Sequence, residues 1–153
     1  MDTFKSIFQN ISKIEYVVGG VTRQESVYNG LKYVNSDYVL IHDGARPNYS
    51  MKLVNNILEK LETYNAVIPA LKVVDTIKEV KNNIVVKTIN REVLRSVQTP
   101  QGFKTSLIVK VHELAQNNEY TDDSSMVENL SNEIVYVVDG EKNNYKYTER
   151  EDF

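Results

Sequence analysis

The run Tyr38-Val-Leu-Ile41 is apolar, four residues long and cut off by Gly44 and Pro47, with an amphipathic helical pattern on each side of it. That order of helix, short buried strand, turn and helix leaves few folds open to the chain. Upstream, Lys13-Ile-Glu-Tyr-Val-Val18 reads as a strand ending at Gly19-Gly20. Thr22 with Glu25 then makes a capping-box signature, and Val27, Leu31 and Val34 continue as one helical stripe. Downstream, Ser50 caps a second helix whose stripe is Met51, Val54, Ile57, Leu58 and Leu61, and residues 66–74 form a third extended run. Alternation of this kind predicts an α/β fold with a mostly parallel sheet. Phe4, Ile7, Phe8 and Ile11 predict one further helix ahead of the first strand.

From Asp75 the pattern changes. Two strand-like runs flank Asn82-Asn83, which predicts a β-hairpin within an arm of approximately residues 74–103. Residues 96–103 are extended and punctuated by Pro100 and Gly102; the helix after them carries Leu107, Ile108, Val111, Leu114 and Ala115 on one face. On that reading His112 falls beside Lys110 and Glu113 on the polar face. A short helix capped at Asp122-Asp123 and a strand over residues 134–138 complete the set. At 153 residues this is one domain. Thr148 and Glu151 repeat the capping-box signature with only Asp152 and Phe153 after it, which reads as a fragment stopping where a helix begins.

Charge narrows the function. With 18 basic and 21 acidic residues the net charge is -3 and no basic run occurs, which argues against a nucleic-acid surface. Phosphate chemistry would have to use a few placed cations. The chain has no cysteine, which excludes disulfides, thiolate catalysis and Cys-based zinc, and residues 1–4 do not resemble a signal peptide. A cytoplasmic location without a membrane anchor is the expectation.

The candidate site residues gather where strands run out, because ligands of open α/β sheets bind beyond the strands' carboxyl ends. Asp43 can hold a ribose hydroxyl or help place a metal ion, and Arg46 offers a planar fork to phosphate; a helix-capping Asp and a surface Arg are the plainer alternative. Gly19-Gly20 before a helix start suits an anion or a base edge, with Ser26 one turn further on. Lys146 can reach the same crevice; Arg91, at the base of the arm, is far from its own crevice but within reach of a neighbouring subunit's, and Thr76 lies on the opposite side of the arm; as ordinary surface residues each would need no ligand. Asp122 and Asp123 read as helix caps, His42 and His112 as isolated, and no metal ligand is assigned.

Seven short segments in order, Gly-Gly-Val-Thr-Arg-Gln-Glu-Ser26, Ile-His-Asp-Gly-Ala-Arg-Pro47, Val-Asp-Thr-Ile-Lys78, Asn-Arg91, Gln-Thr-Pro-Gln101, Thr-Asp-Asp123 and Asn-Tyr-Lys-Tyr-Thr148, resemble the 2-C-methyl-D-erythritol 4-phosphate cytidylyltransferases of isoprenoid precursor synthesis. The resemblance runs from about Lys13 to Phe153. It implies a Rossmann-like fold of the nucleotide-diphospho-sugar transferase type, with a hairpin arm exchanged in a homodimer. It also implies transfer of CMP from CTP to methylerythritol phosphate, with release of pyrophosphate and magnesium carried mainly on the CTP phosphates. Family roles put Gly20, Val21 and Ser26 at the cytosine, Asp43 and Gly44 at the ribose and phosphates, and Arg46 at the sugar phosphate. Thr76 and Arg91 would hold the substrate phosphate across the dimer, and Lys146 would neutralise the reacting phosphates.

The ribitol-phosphate cytidylyltransferases share the His-Asp-x-x-Arg-Pro and Thr-Pro-Gln elements, and a non-catalytic nucleotide-binding or dimerisation remnant is a further alternative. Nothing in residues 1–12 resembles the strand and Gly-rich loop that open the family pattern, and its final helix is missing too. The resemblance therefore implies that this chain alone is nearly or wholly inactive, with one sheet edge uncovered.

Overall fold

In the computed structural model, which describes residues 13–115 and 118–148, helix α1 (Arg23–Leu31) begins where the Thr22 hydroxyl accepts from the Glu25 N–H at 3.1 Å. The capping box forms in an offset version, because the Glu25 carboxylate reaches past the cap residue to the Val21 N–H at 2.6 Å. Strand β1 (Tyr38–Ile41) follows. Helix α2 (Met51–Leu61) starts in the same way, with the Ser50 hydroxyl accepting from the Leu53 N–H. Its buried row is Leu53, Ile57 and Leu61, not the stripe expected from the sequence: Met51 is 67% exposed and Leu58 40%. At about 100° per residue those two side chains lie roughly 140–160° from Leu53, on the solvent side.

The remaining elements are β2 (Ala66–Lys72), β3 (Ile77–Lys81), β4 (Ile84–Ile89), a 3-10 turn (Arg91–Val93), β5 (Arg95–Val97), β6 (Gln101–Lys104), α3 (Thr105–Ala115), α4 (Asp123–Leu130) and β7 (Val135–Asp139). Strand β2 is the centre of the sheet. One edge pairs in parallel with β7, Ala66 opposite Val135. The other pairs antiparallel with β6 at Ala66 and Val67 and then with β5 from Ala70 to Lys72, so β5 and β6 act as one interrupted partner. The Gln98 N–H donates to the Pro69 carbonyl across the interruption. Beyond β6 lies β1, again antiparallel.

The fold is α/β, as the alternation predicts, but the sheet is mixed. β1, β2 and β7 share one direction, while β5 and β6 run against it. Nothing local in a sequence announces the antiparallel insertion of β6 between β1 and β2, because it depends on a chain reversal beyond the hairpin. Residues 14–20 form no strand either. A strand needs a hydrogen-bonded neighbour, and no described segment pairs with this one. The helix expected over Phe4–Ile11 and the capping box at Glu151 lie outside the described residues.

Adjacent residues of a strand face opposite sides, and two cores result. Ala66 and Phe103 join Leu31, Ile41, Ile108, Val111 and Met126 beneath α1, α3 and α4. Val67 and Val138 meet Leu53, Ile57 and Leu61 beneath α2. Gly102 permits that second contact: a Cβ there would come within 2.5 Å of Ile57 Cγ2 and 2.9 Å of Leu61 Cδ1. Helix α3 buries Ile108, Val111, His112 and Ala115, while Leu114 stays exposed. His112 is therefore a core residue, not one of the polar face: Asp123 meets its Nε2 from within, while its Nδ1 is buried without a hydrogen-bond partner among the described residues.

β3 and β4 form a separate two-stranded sheet turned by Asn82 and Asn83, both with positive φ (49° and 63°), the geometry that Asn tolerates in tight hairpins. Its strands are exposed except at Ile89. Of the arm expected over approximately residues 74–103, residues 95–97 and 101–103 lie in strands of the main sheet, where Arg95 pairs with Lys72 and closes the base of the hairpin. Among the described residues no helix is long and apolar enough to cross a membrane.

Candidate active site

β1 ends at Ile41, and the chain turns at once, the Arg46 N–H donating to the Asp43 carbonyl at 3.0 Å. A side-chain relay holds this turn. The Asp43 N–H donates to Thr99 Oγ1 at 3.0 Å, Thr99 Oγ1 lies 3.0 Å from His42 Nδ1, and His42 Nε2 lies 2.8 Å from the Arg46 carbonyl. One assignment satisfies all three: the Thr99 hydroxyl donates to Nδ1, and Nε2–H donates to the carbonyl. The His42 ring also meets Tyr49 edge-on, with centroids 4.6 Å apart. His42, isolated in sequence, is thus a staple for the residues on both sides of Asp43.

The second loop of the site, residues 140–148, follows β7 and is stitched to the first. The Gln98 amide donates to the carbonyls of Glu141 and Asn144, both at 2.9 Å, and accepts from the Glu141 N–H. Asn144, fully buried, donates to the Thr99 carbonyl, while Arg46 Nη1 donates to the Asn144 carbonyl at 2.9 Å and the Tyr147 N–H to the Ala45 carbonyl. Gly140 makes the start of the loop fit, since a Cβ there would sit 2.5 Å from Gln98 Oε1 and 3.1 Å from the Ala70 carbonyl carbon. The result is that Lys146 Nζ stands 3.2 Å from Asp43 Oδ2.

Asp43 is the hub of three cations. Besides Lys146, Arg23 Nε lies 3.5 Å from Oδ1 and Arg46 Nε 3.8 Å from Oδ2. Burial works against its ionisation, but Lys146 first, then Arg23 and Arg46, outweigh it and hold the carboxyl below its ordinary 3.8. A carboxyl whose folded pKa is depressed adds stability that is complete above its unfolded value, fades as pH drops below about 3.8, and is gone once pH passes under the lowered folded value. Thermal unfolding followed from pH 6 downward should accordingly show a shallower acid limb in Asp43→Asn than in the parent. An identical slope in the two proteins would mean that the cation cluster does not stabilise the carboxylate.

Two clefts share this hub. One, of about 450 Å³, has Arg23, Asp43, Arg46 and Lys146 together with Asp122, Ser124 and Glu128 among its walls. The other, of about 430 Å³, has Ser26, His42, Gly44 and Ala45 around the same Arg23, Asp43 and Lys146. Cations and hydroxyl-binding carboxylates thus face one space, which suits a ligand carrying both phosphates and hydroxyls. Asp122 caps α4 as expected and is held by Gln101 Nε2 at 2.7 Å and Ser124 Oγ at 2.8 Å. Burial opposes its charge, but these partners and the Ser125 amide outweigh it and lower its pKa.

Of the residues singled out from sequence, Ser26, Asp43, Gly44, Arg46 and Lys146 come together at these clefts. Gly20 and Val21 lie beside them without lining either one: the Gly20 N–H donates to Ser26 Oγ at 2.9 Å, and Val21 is 97% exposed. Thr76 and Arg91 stand apart on the exposed arm, where Arg91 donates to the Val74 carbonyl. Arg23, His42, Gln98 and Thr99 were given no role in the site from sequence. The only signal for them was membership of the short motifs quoted above. Among the described residues no group of three His, Cys, Asp or Glu side chains is placed to hold a metal.

The sequence pattern of the 2-C-methyl-D-erythritol 4-phosphate cytidylyltransferase family matches residues 1–153, and so takes in the first twelve residues that the motif resemblance left out. A protein of that name from Bacillus mycoides is 44% identical over 143 residues, covering 92% of this chain and 63% of its own length. One from Geobacillus thermodenitrificans is 43% identical, with 97% of this chain and 68% of the relative covered. The chain thus spans a little under two thirds of the Bacillus relative. The crystal structure of 4-diphosphocytidyl-2C-methyl-D-erythritol synthase from Anaerococcus prevotii superimposes with a TM-score of 0.90 at 39% identity, covering 99% of this chain and 72% of that one. The Thermus thermophilus cytidylyltransferase gives 0.83 at 32% identity, with 99% and 83% covered.

Proposed function

The chain belongs to the 2-C-methyl-D-erythritol 4-phosphate cytidylyltransferase family, and from that premise we propose that it serves the transfer of CMP from CTP to 2-C-methyl-D-erythritol 4-phosphate. A phosphate oxygen of the acceptor attacks the α-phosphorus of CTP, a new P–O bond forms, and the bond to the β-phosphate breaks to release pyrophosphate. The observation that carries this reading is the convergence of Lys146, Arg46 and Arg23 on Asp43 at the mouth of two joined clefts. Phosphoryl-type transfer asks little covalent chemistry of a protein and depends on positioning and on cations held where charge collects.

In this reading Ser26, Gly20 and Val21 attend the cytosine, and Asp43 and Gly44 the ribose and phosphates. Lys146 offsets charge at the reacting phosphates, and Arg46 faces the acceptor. Asp43 is the residue that would hold magnesium beside the CTP phosphates, since that ion is commonly bound through one or two carboxylates plus substrate oxygens. Thr76 and Arg91 act in a second subunit's cleft. The exposed hairpin, with Val80, Ile84, Val85 and Val86 open to solvent, supports a homodimer in which arms are exchanged. A location in the cytoplasm goes with the use of CTP.

Pyrophosphate release in the presence of CTP, magnesium and methylerythritol phosphate tests the proposal, measured on this chain and on any longer in-frame form that its gene encodes. The expected result is release that requires all three components. Its absence in every form, or an equal rate with ribitol phosphate, would overturn the assignment.

A further inference from the structure

Arg23 touches more than Asp43. Its Nη2 donates to Oδ2 of Asp123 at 2.7 Å, and Asp123 is completely buried at the first residue of α4. Oδ1 of the same carboxylate lies 3.2 Å from Nε2 of His112, itself buried and stacked against the Tyr28 ring with centroids 5.9 Å apart. The sequence brings these groups from α1, α3 and α4 to one point behind the cleft. Asp123 is absent from the cleft's walls, although Thr121, Asp122, Ser124 and Ser125 all line it.

The guanidinium is planar, so binding it at two of its nitrogens fixes the direction of the third. Nη2 is tied to a carboxylate that cannot rotate away, because His112 holds its other oxygen. Nε then meets Asp43 Oδ1 in one orientation only. Burial opposes the charge of Arg23, but Asp123 and then Asp43 outweigh it and raise its pKa, so the fork remains a cation. Lys146 and Arg46 reach the other oxygen, Oδ2.

We propose that Asp123, backed by His112, is a positioning residue that acts through Arg23: it locks the guanidinium and so sets the angle at which Asp43 meets the nucleotide. The inference rests on the cytidylyltransferase reading. In the resting cleft Asp43 serves as a counter-anion that keeps the cations gathered. When the substrates enter, Lys146 turns to the reacting phosphates and Arg46 to the acceptor while Arg23 stays in place, because among the described residues it alone of the three is tied to a second, buried carboxylate.

The test is CTP affinity in the presence of magnesium, measured by calorimetry at a temperature where circular dichroism shows every variant fully folded. Asp123→Asn cannot touch the ligand directly and should weaken affinity about 10–100-fold, the usual effect of losing an outer residue that orients a ligand-binding one. Arg23→Lys should weaken it as well, because a single ammonium cannot hold both carboxylates at the same angles. Ile108→Val, a fully buried neighbour on α3, should lose stability and keep the parent's affinity. Parental affinity in Asp123→Asn, or a loss in all three variants that follows their stability, would overturn the inference. Failure of every in-frame form of the parent protein to take up CTP would instead overturn the cytidylyltransferase reading, and the inference with it.

Discussion

Replacing Phe103 by Ala is expected to lower the unfolding free energy by about 3–5 kcal/mol. Phe103 is fully buried on β6, opposite Val39 of β1 on one side and Ala66 of β2 on the other. It is thus the bulky residue at the point where the antiparallel insertion joins two strands of like direction. Its ring packs in the core with Leu31, Ile41, Ile108 and Val111, which come from two helices and the end of β1. Backbone pairing on both sides keeps those walls from collapsing into the space left behind, so the cavity cost adds to the lost burial. For a chain of this size the melting temperature should fall by roughly 6–20 °C, at about 2–4 °C per kcal/mol. Denaturant unfolding with an unchanged m-value would confirm a stability effect, and a loss below about 1 kcal/mol would mean that Phe103 does not anchor β6 between β1 and β2.

Lys146→Ala should be the opposite case, folded and inert. The lysine side chain is 44% exposed and its loop is held by backbone and by Gln98, Asn144 and Arg46, none of which needs the ammonium. Losing its ion pair with Asp43 costs some stability, but Arg23 and Arg46 still face that carboxylate, so the fold is expected to hold. Charge accumulating on the transferred and departing phosphates would lose a preorganised cation, which typically costs 100–1,000-fold in rate. In the form of the protein that turns over, single-turnover rates at saturating CTP should therefore fall by roughly two to three orders of magnitude, with a smaller rise in the KM for CTP, because the ammonium meets the phosphates before as well as during transfer. Lys146→Arg should recover part of the rate. An unaltered rate in Lys146→Ala would remove the residue from the chemistry.

Local chemistry made much of this legible. Thr22, Ser50 and Asp122 announce helix starts because a cap is a short-range event, and Asn82-Asn83 announces a hairpin for the same reason. What escaped is set by distant partners. Residues 13–18 have strand composition but no pairing neighbour among the described residues, and α2 has more apolar positions than the sheet can cover, so packing, not periodicity, chose Leu53 over Met51. His112 reads as polar-faced until Asp123 arrives from another helix. In the site, Asp43, Arg46 and Lys146 were visible because glycine, proline and strand ends point to them. Arg23 was not, since a charged residue in the first turn of a helix is ordinary in itself, and only the fold brings Asp43 and Asp123 to either side of it.

The pairing of Lys72 with Arg95 makes the hairpin arm a pendant on a closed clasp. Everything between those two residues leaves and re-enters the sheet through a single rung, and among the described residues the exposed strands of the arm pair only with each other. Such an appendage can be lengthened, recoloured with other side chains or aimed at a different companion while the register of β2, β5 and β6 stays as it is. In the proposed dimer, changes in the arm would therefore be felt in the companion's cleft, through Thr76 and Arg91, while the sheet under the chain's own cleft keeps its register on the other side of one pair of residues.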